Sequence, residues 1–163
     1  MSEPRWLNET QMRAWTGFLE TSGLIQRHVE RQLRDDAGLT MIQYEILHWA
    51  NMCAPRHRCI TELADLMITS RSGLSYQVAQ LEKAGLLRRE TDTNDERRTM
   101  VVITEDGQRL LQKTAPGHVA AVRDGLIDLL TDEQIAQLAD IMDGVRTKLR
   151  PRVLPTASRK KAT

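Results

Sequence analysis

The chain has 163 residues, 40% of them apolar and 28% charged, with a formal net charge of +1. This length fits one compact domain with an extension, and the composition excludes a mostly disordered chain. The near-balanced charge excludes a uniformly basic surface, so any contact with nucleic acid must come from local placement of cations.

Helical periodicity governs both ends of the chain. From about Thr10 to Leu33, the residues Trp15, Phe18, Leu19, Ile25, Val29 and Leu33 form an apolar stripe at helical spacing. Gly38 breaks the pattern. Thr40 is placed to cap a second helix reaching about Met52, with Ile42, Ile46, Trp49 and Cys53 on one face, and Pro55 stops it. A short third helix follows Thr61 and carries Leu63, Ala64, Leu66 and Met67. Thr69 or Ser70 caps a fourth, whose Leu74, Val78 and Leu81 face inward at i, i+4 and i+7. Gly85 stands where a helix ends in a left-handed residue, with Leu86 and Leu87 supplying the accompanying apolar contact.

The period then changes. Leu87 to Glu90 and Thr99 to Ile103 have strand composition, and the polar run Thr91 to Arg98 between them reads as the tip of a hairpin. Thr104 caps a fifth helix, with Glu105 and Asp106 in its first turn. Pro116-Gly117 is expected to kink or break that helix, because Pro removes a backbone hydrogen bond. Thr131 to Gln134 forms a capping box, and the last helix spaces Ile135, Leu138, Met142, Val145 and Leu149 as a heptad seam.

The order predicts a mainly α fold of six helices with a small β-hairpin wing, a winged helix-turn-helix. Residues 1–36 read as an N-terminal dimerisation helix, 37–105 as the winged lobe, 106–150 as C-terminal dimerisation helices and 151–163 as a disordered tail. The terminal helices carry more apolar surface than one small core can bury, so a second copy is the expected cover.

Two short helices joined by Ile68-Thr69-Ser70 match a helix-turn-helix, whose second helix enters the major groove with its N-terminal residues forward. Thr61 heads the first of the two. The second displays Ser70, Arg71, Ser72, Ser75, Tyr76, Gln77 and Gln80, with no acid from Ser70 to Leu81. Arg71 can reach guanine O6 and N7, Gln77 or Gln80 can pair with adenine, and the serines can bond phosphates or base edges. At the hairpin tip, Asp95 can hold the Arg97 guanidinium in a fixed direction, which suits a narrow minor groove, with Arg98 and Arg89 on phosphates.

The runs Glu62-Leu63-Ala64-Asp65-Leu66, Ser70 through Leu87, Asp95-Glu96-Arg97-Arg98 and Ile103-Thr104-Glu105-Asp106-Gly107, preceded by Gly38-Leu39-Thr40 and Tyr44-Glu45-Ile46-Leu47, resemble the MarR family pattern. The resemblance spans about Arg13 to Leu149. It implies a triangular homodimer, a pseudo-palindromic operator in double-stranded DNA, usually repression, and release by a small phenolic or otherwise amphipathic ligand. Asp95 and Arg97 fall on the family's wing pair, and Ser70, Ser72 and Ser75 on its polar recognition-helix positions. The chain departs from many members at Tyr76 and Gln80, where Arg is common, and at Arg71, where Pro is common. The operator therefore does not transfer from a relative.

The resemblance also implies an effector pocket between the dimerisation helices and the winged lobe. Arg13, Trp15, His28, Tyr44, His48 and Trp49 are its polar and aromatic candidates, although both tryptophans lie on apolar stripes and also read as core. Of the two cysteines, Cys53 reads as buried and inert, while the neighbouring Arg56, His57 and Arg58 could lower the pKa of Cys59. Their spacing makes neither a disulfide framework nor a metal motif, and no cofactor is expected. No catalytic constellation stands out, so an enzyme is not expected; a winged-helix protein-interaction module is the competing reading. The polar, acidic start does not read as a signal peptide and no run reaches the roughly 18 apolar residues of a membrane span, which makes the cytoplasm the expected compartment. From Arg150 to Thr163 there are three Arg, two Lys and no acid, which reads as a basic arm able to hold phosphates or as a solvated tail.

Overall fold

A computed structural model describes residues 4–52, 57–67, 69–92, 95 and 98–150. Helix α1 (Glu9–Ala37) begins at Asn8, whose side chain accepts from the Gln11 N–H at 2.9 Å while the Gln11 side chain accepts from the Asn8 N–H at 3.0 Å. This reciprocal cap starts the helix within a residue of the expected Thr10, and Arg34 to Ala37 extend it past the expected end at Leu33. Helix α2 (Met41–Met52) opens on the expected Thr40 cap, which receives the Gln43 N–H at 3.3 Å. Cys53, Pro55 and the segment 151–163 lie outside the described residues.

A short strand β1 (His57–Cys59), not expected from the sequence, precedes α3 (Ile60–Leu66). Three residues have no readable alternation, and β1 exists only by pairing. Cys59 takes the cap position of α3, which places Thr61 inside its first turn and not ahead of it. Helix α4 (Arg71–Lys83) is capped by Ser70, whose hydroxyl accepts from the Gly73 N–H at 3.1 Å. It ends at Gly85, with φ of 75°, where Leu86 N–H bonds Leu81 C=O and Gly85 N–H bonds Glu82 C=O. Both bonds need a left-handed residue at that point, which glycine alone adopts without a Cβ penalty.

Strands β2 (Leu87–Thr91) and β3 (Thr99–Ile103) form the hairpin, and the antiparallel sheet runs β1-β3-β2. Leu87 faces Ile103 and Thr91 faces Thr99, while Cys59 faces Met100 from the other side. Helix α5 (Glu105–Gly125) starts at Thr104, whose hydroxyl accepts from the Gly107 N–H at 3.1 Å.

The expected break at Pro116-Gly117 does not occur. Pro116 removes one hydrogen bond, but α5 continues to Gly125 because α1 packs along it. Gly117 serves that packing: a Cβ there would stand 2.6 Å from Asp36 Oδ2 and 2.9 Å from Gln32 Nε2. The chain turns later, at Leu126 and a single 3-10 turn over Ile127–Leu129. Helix α6 (Asp132–Leu149) then starts on the expected Thr131–Gln134 capping box.

Leu33 of α1, Ile46 and Leu47 of α2, Leu63 of α3, Leu74 and Val78 of α4 and Val101 of β3 are fully buried and make one core. Each such aliphatic side chain stabilises the fold by about 1.5–3 kcal/mol. Two apolar faces lie outside it. In the N-terminal half of α1, Trp15 is 51% and Phe18 49% exposed, and α6 buries no residue, leaving Val145 49% exposed.

Candidate nucleic-acid interface

The helix-turn-helix is α3 and α4, with β2 and β3 beside it. Burial of Leu74, Val78 and Leu81 turns the opposite face of α4 outward. Ser70, Arg71, Ser72, Tyr76 and Gln80 are exposed, while Ser75 and Gln77 are half-buried at the edge of that face. Ser70 already accepts from its own helix, and its hydroxyl lies 3.4 Å from that of Ser72, so the pair keeps one O–H and two lone pairs for an external partner. Arg71 stands in the first turn of α4, where no carboxylate neighbours it in sequence.

Two arginines tie the hairpin to the helix-turn-helix. Arg89 donates from Nε to Glu82 Oε2 at 2.7 Å and from its backbone N–H to Glu82 Oε1 at 3.0 Å. These bonds hold the Glu82 carboxyl below the usual carboxylate range. Arg98 donates to Glu62 Oε1 at 2.5 Å, stands 3.6 Å from Asp92 Oδ2 and bonds the Cys59 sulfur. Both guanidiniums, expected on phosphates, are thus turned onto protein carboxylates contributed by α4 and α3. The partners lie 7 and 36 residues away, outside any local pattern. Asp95 is exposed, and its carbonyl accepts the Arg98 N–H at 2.9 Å. Arg97, and with it the Asp95–Arg97 pair, lies outside the described residues.

Cys59 is buried, and burial pushes its thiol up. The Thr61 N–H and hydroxyl, together with the Arg98 guanidinium, outweigh that and hold it below its ordinary value. The cause is therefore Thr61 and Arg98, and Thr61 faces the sulfur at the head of α3.

The effector candidates separate into three places. Arg13 and Trp15 lie on the exposed half of α1. His28 sits in a cleft of about 440 Å³ between α1 and α5, its Nε2 3.3 Å from Asp124 Oδ2. Tyr44, His48 and Trp49 gather on α2, where the buried Tyr44 ring lies 4.3 Å from His118 of α5, tilted by 41°, and the exposed His48 meets Trp49 edge-on at 5.6 Å. His118 escaped the sequence reading because an unbroken α5 is required to bring it there. Burial, and secondarily His48, hold its pKa below the usual histidine value. Among the described residues, Gln32 Oε1 and His118 Nδ1 are buried without a hydrogen-bond partner. No group of three or more metal-ligating side chains occurs among those residues, and no helix there is long and apolar enough to cross a membrane.

A winged helix-turn-helix with long flanking helices is a known architecture of DNA-binding regulators, and comparison with known proteins places this chain within it. The MarR family model matches residues 39–99. Sco3205, a MarR family transcriptional regulator from Streptomyces coelicolor solved in complex with DNA, is 39% identical; the match covers 93% of this chain and 95% of Sco3205 with a TM-score of 0.89. The transcriptional regulator HosA of Escherichia coli O157:H7 is 29% identical over 117 residues, 72% of this chain and 85% of HosA. CouR from Rhodococcus jostii RHA1, solved with p-coumaroyl-CoA bound, is 26% identical over 80% of this chain and 90% of CouR, with a TM-score of 0.70. The chain belongs to the MarR family and is a transcriptional regulator, a DNA-binding protein and not an enzyme.

Proposed function

We propose that this regulator is a homodimeric repressor that reads a pseudo-palindromic operator in double-stranded DNA and is released by a small amphipathic or aromatic ligand. The observation that carries the DNA reading is the outward face of α4, polar or cationic throughout and free of acid from Ser70 to Leu81. An ordinary solvated helix face mixes both signs of charge. A face without carboxylates suits a phosphate-lined groove. The DNA complex of Sco3205 supports the same reading.

In the proposed complex, Arg71, Ser72, Ser75, Tyr76, Gln77 and Gln80 enter the major groove, with Ser70 at the backbone and Arg97, oriented by Asp95, in the flanking minor groove. Residues 37–105 form the reading lobe. The arms 1–36 and 106–150 pair with a second copy, which would cover the apolar faces of α1 and α6 and set the two recognition helices about one helical turn apart.

The ligand site proposed here lies where α1, α2 and α5 meet, around Tyr44 and His118. Buried polar atoms are nearly always paired, so the orphaned Gln32 Oε1 and His118 Nδ1 suit a ligand that brings its own polar group to an aromatic wall. The bound p-coumaroyl-CoA of CouR supports a phenolic class. A ligand that prefers one lobe spacing by ~2.7 kcal/mol weakens operator occupancy ~100-fold.

Fluorescence anisotropy tests the reading. The full-length chain is titrated onto DNA from its own upstream region and onto a scrambled duplex at two salt concentrations, alongside Arg97→Ala. Tight binding to the first duplex, a steep salt slope and a loss of ~1–3 kcal/mol in the variant are expected. Equal, weak binding to both, with a protein captured instead by the winged lobe, would favour the interaction-module reading.

A further inference from the structure

Gln43 in the first turn of α2 touches α4, and its orientation is set from behind. The Thr40 N–H, which can only donate, bonds Gln43 Oε1 at 3.1 Å. With its oxygen held there, the Gln43 side chain offers its NH2 group at the other edge. That group donates to Gln77 Oε1 at 3.1 Å. The polarity therefore passes one residue further. With Oε1 turned toward α2, Nε2 is the Gln77 amide atom left to face outward.

We infer that Gln43 is a specificity-determining residue of the second rank: it touches no DNA, but it makes Gln77 a hydrogen-bond donor toward the base edge. The inference rests on the reading of α4 as the recognition helix. It replaces the expected Gln77–adenine pair, because a bidentate pair with adenine needs Oε1 to accept from N6 while Nε2 donates to N7. Here Oε1 is turned toward Gln43 and away from the base edge. Guanine offers acceptors at both O6 and N7, and thymine at O4. Adenine keeps one acceptor at N7 but loses the bidentate match, whereas cytosine N4 sets donor against donor. Both glutamines are half-buried, so turning the Gln77 amide over would face two NH2 groups across a partly dry contact and leave a donor unpaired. Guanine or thymine should be preferred over cytosine at the base Gln77 meets by roughly tenfold, with adenine holding no bidentate advantage.

The test selects bound sequences from a randomised duplex pool with the full-length chain, and then measures relative affinities for the four bases at each specified position. Gln43→Glu is the informative variant. Its carboxylate still accepts the Thr40 N–H, as a capping box requires, but presents an acceptor to Gln77. The amide must then turn over and show Oε1 to the DNA. One position should lose its bias against cytosine, whose N4 then meets an acceptor, and Gln77→Ala should flatten the preference at that same position. The added negative charge weakens all sequences alike, so ratios between bases are the readout. If wild type binds specifically and neither variant changes any base ratio, the inference is wrong while the regulator reading stands. If no sequence is enriched by wild type, both fall.

Discussion

The Arg98 guanidinium closes on the Glu62 carboxylate at 2.5 Å, joining the tip end of the hairpin to α3 across 36 residues of chain. The same guanidinium reaches Asp92 and the Cys59 sulfur, so one side chain fixes the hairpin against the helix-turn-helix. Glu62→Gln separates two roles for Arg98. If Arg98 positions the wing, the variant loses about tenfold in operator affinity with an unchanged salt slope. A phosphate contact predicts the reverse, because releasing Arg98 from its acid would strengthen binding and steepen the slope. Anisotropy across a salt series distinguishes them. Both partners are partly exposed, so the cost in folding stability stays within about 1 kcal/mol.

Gly85 is expected to resist substitution for backbone reasons alone. No atom lies within 4 Å of a Cβ built there, yet its φ of 75° is a left-handed one. Gly85→Ala should destabilise the fold by about 1–2 kcal/mol, and Gly85→Asn by less, since Asn tolerates that region. Urea unfolding midpoints measure both, and equal midpoints for wild type and Gly85→Ala would rule out this account.

His118 gives stability a pH dependence of definite sign. Burial, and then His48, hold its pKa below the usual histidine value in the folded chain. Above the unfolded pKa of about 6.5 both states are neutral there and nothing is lost. As pH falls below that value the unfolded chain takes up a proton that the folded chain resists, so stability drops and then levels once the folded pKa is passed. Thermal midpoints between pH 8 and pH 5, measured on wild type and His118→Gln, should show a smaller acid-side decline in the variant.

The exposed apolar faces predict the assembly. Phe18 and Val145 are each 49% exposed in the single chain. Phe18→Glu with Val145→Glu should shift a dimer to monomer in sedimentation velocity, with the far-ultraviolet circular dichroism unchanged, because neither residue belongs to the chain's own core. A double variant that sediments as wild type would exclude these faces as the contact between copies.

What could be read from the sequence was local. The caps at Thr40, Ser70, Thr104 and Thr131, the left-handed end at Gly85 and the inward spacing of Leu74, Val78 and Leu81 each depend on residues a few positions apart. The elements that escaped depend on distant partners. β1 is a strand because β3 is beside it, and α5 crosses Pro116 because α1 lies along it. The acids that hold Arg89 and Arg98 were not legible, since Glu62 and Glu82 look like ordinary exposed helix residues until the hairpin folds back on them. Gln43 and His118 acquire meaning only through contacts with Gln77 and Tyr44 on other helices.

The unbroken passage of α5 through Pro116 makes it a lever. Its 21 residues span about 31 Å, with one end rooted directly after β3 and the other leading into the last helix. A broken helix would absorb a disturbance at its midpoint, but a continuous one transmits it as rotation. Tilting such a rod by about 10° about one end carries the other through about 5 Å, close to the rise of one helical turn. In the proposed ligand-released dimer, a ligand beside His118 near its middle would need to move α5 only slightly to change the distance between the two α4 helices.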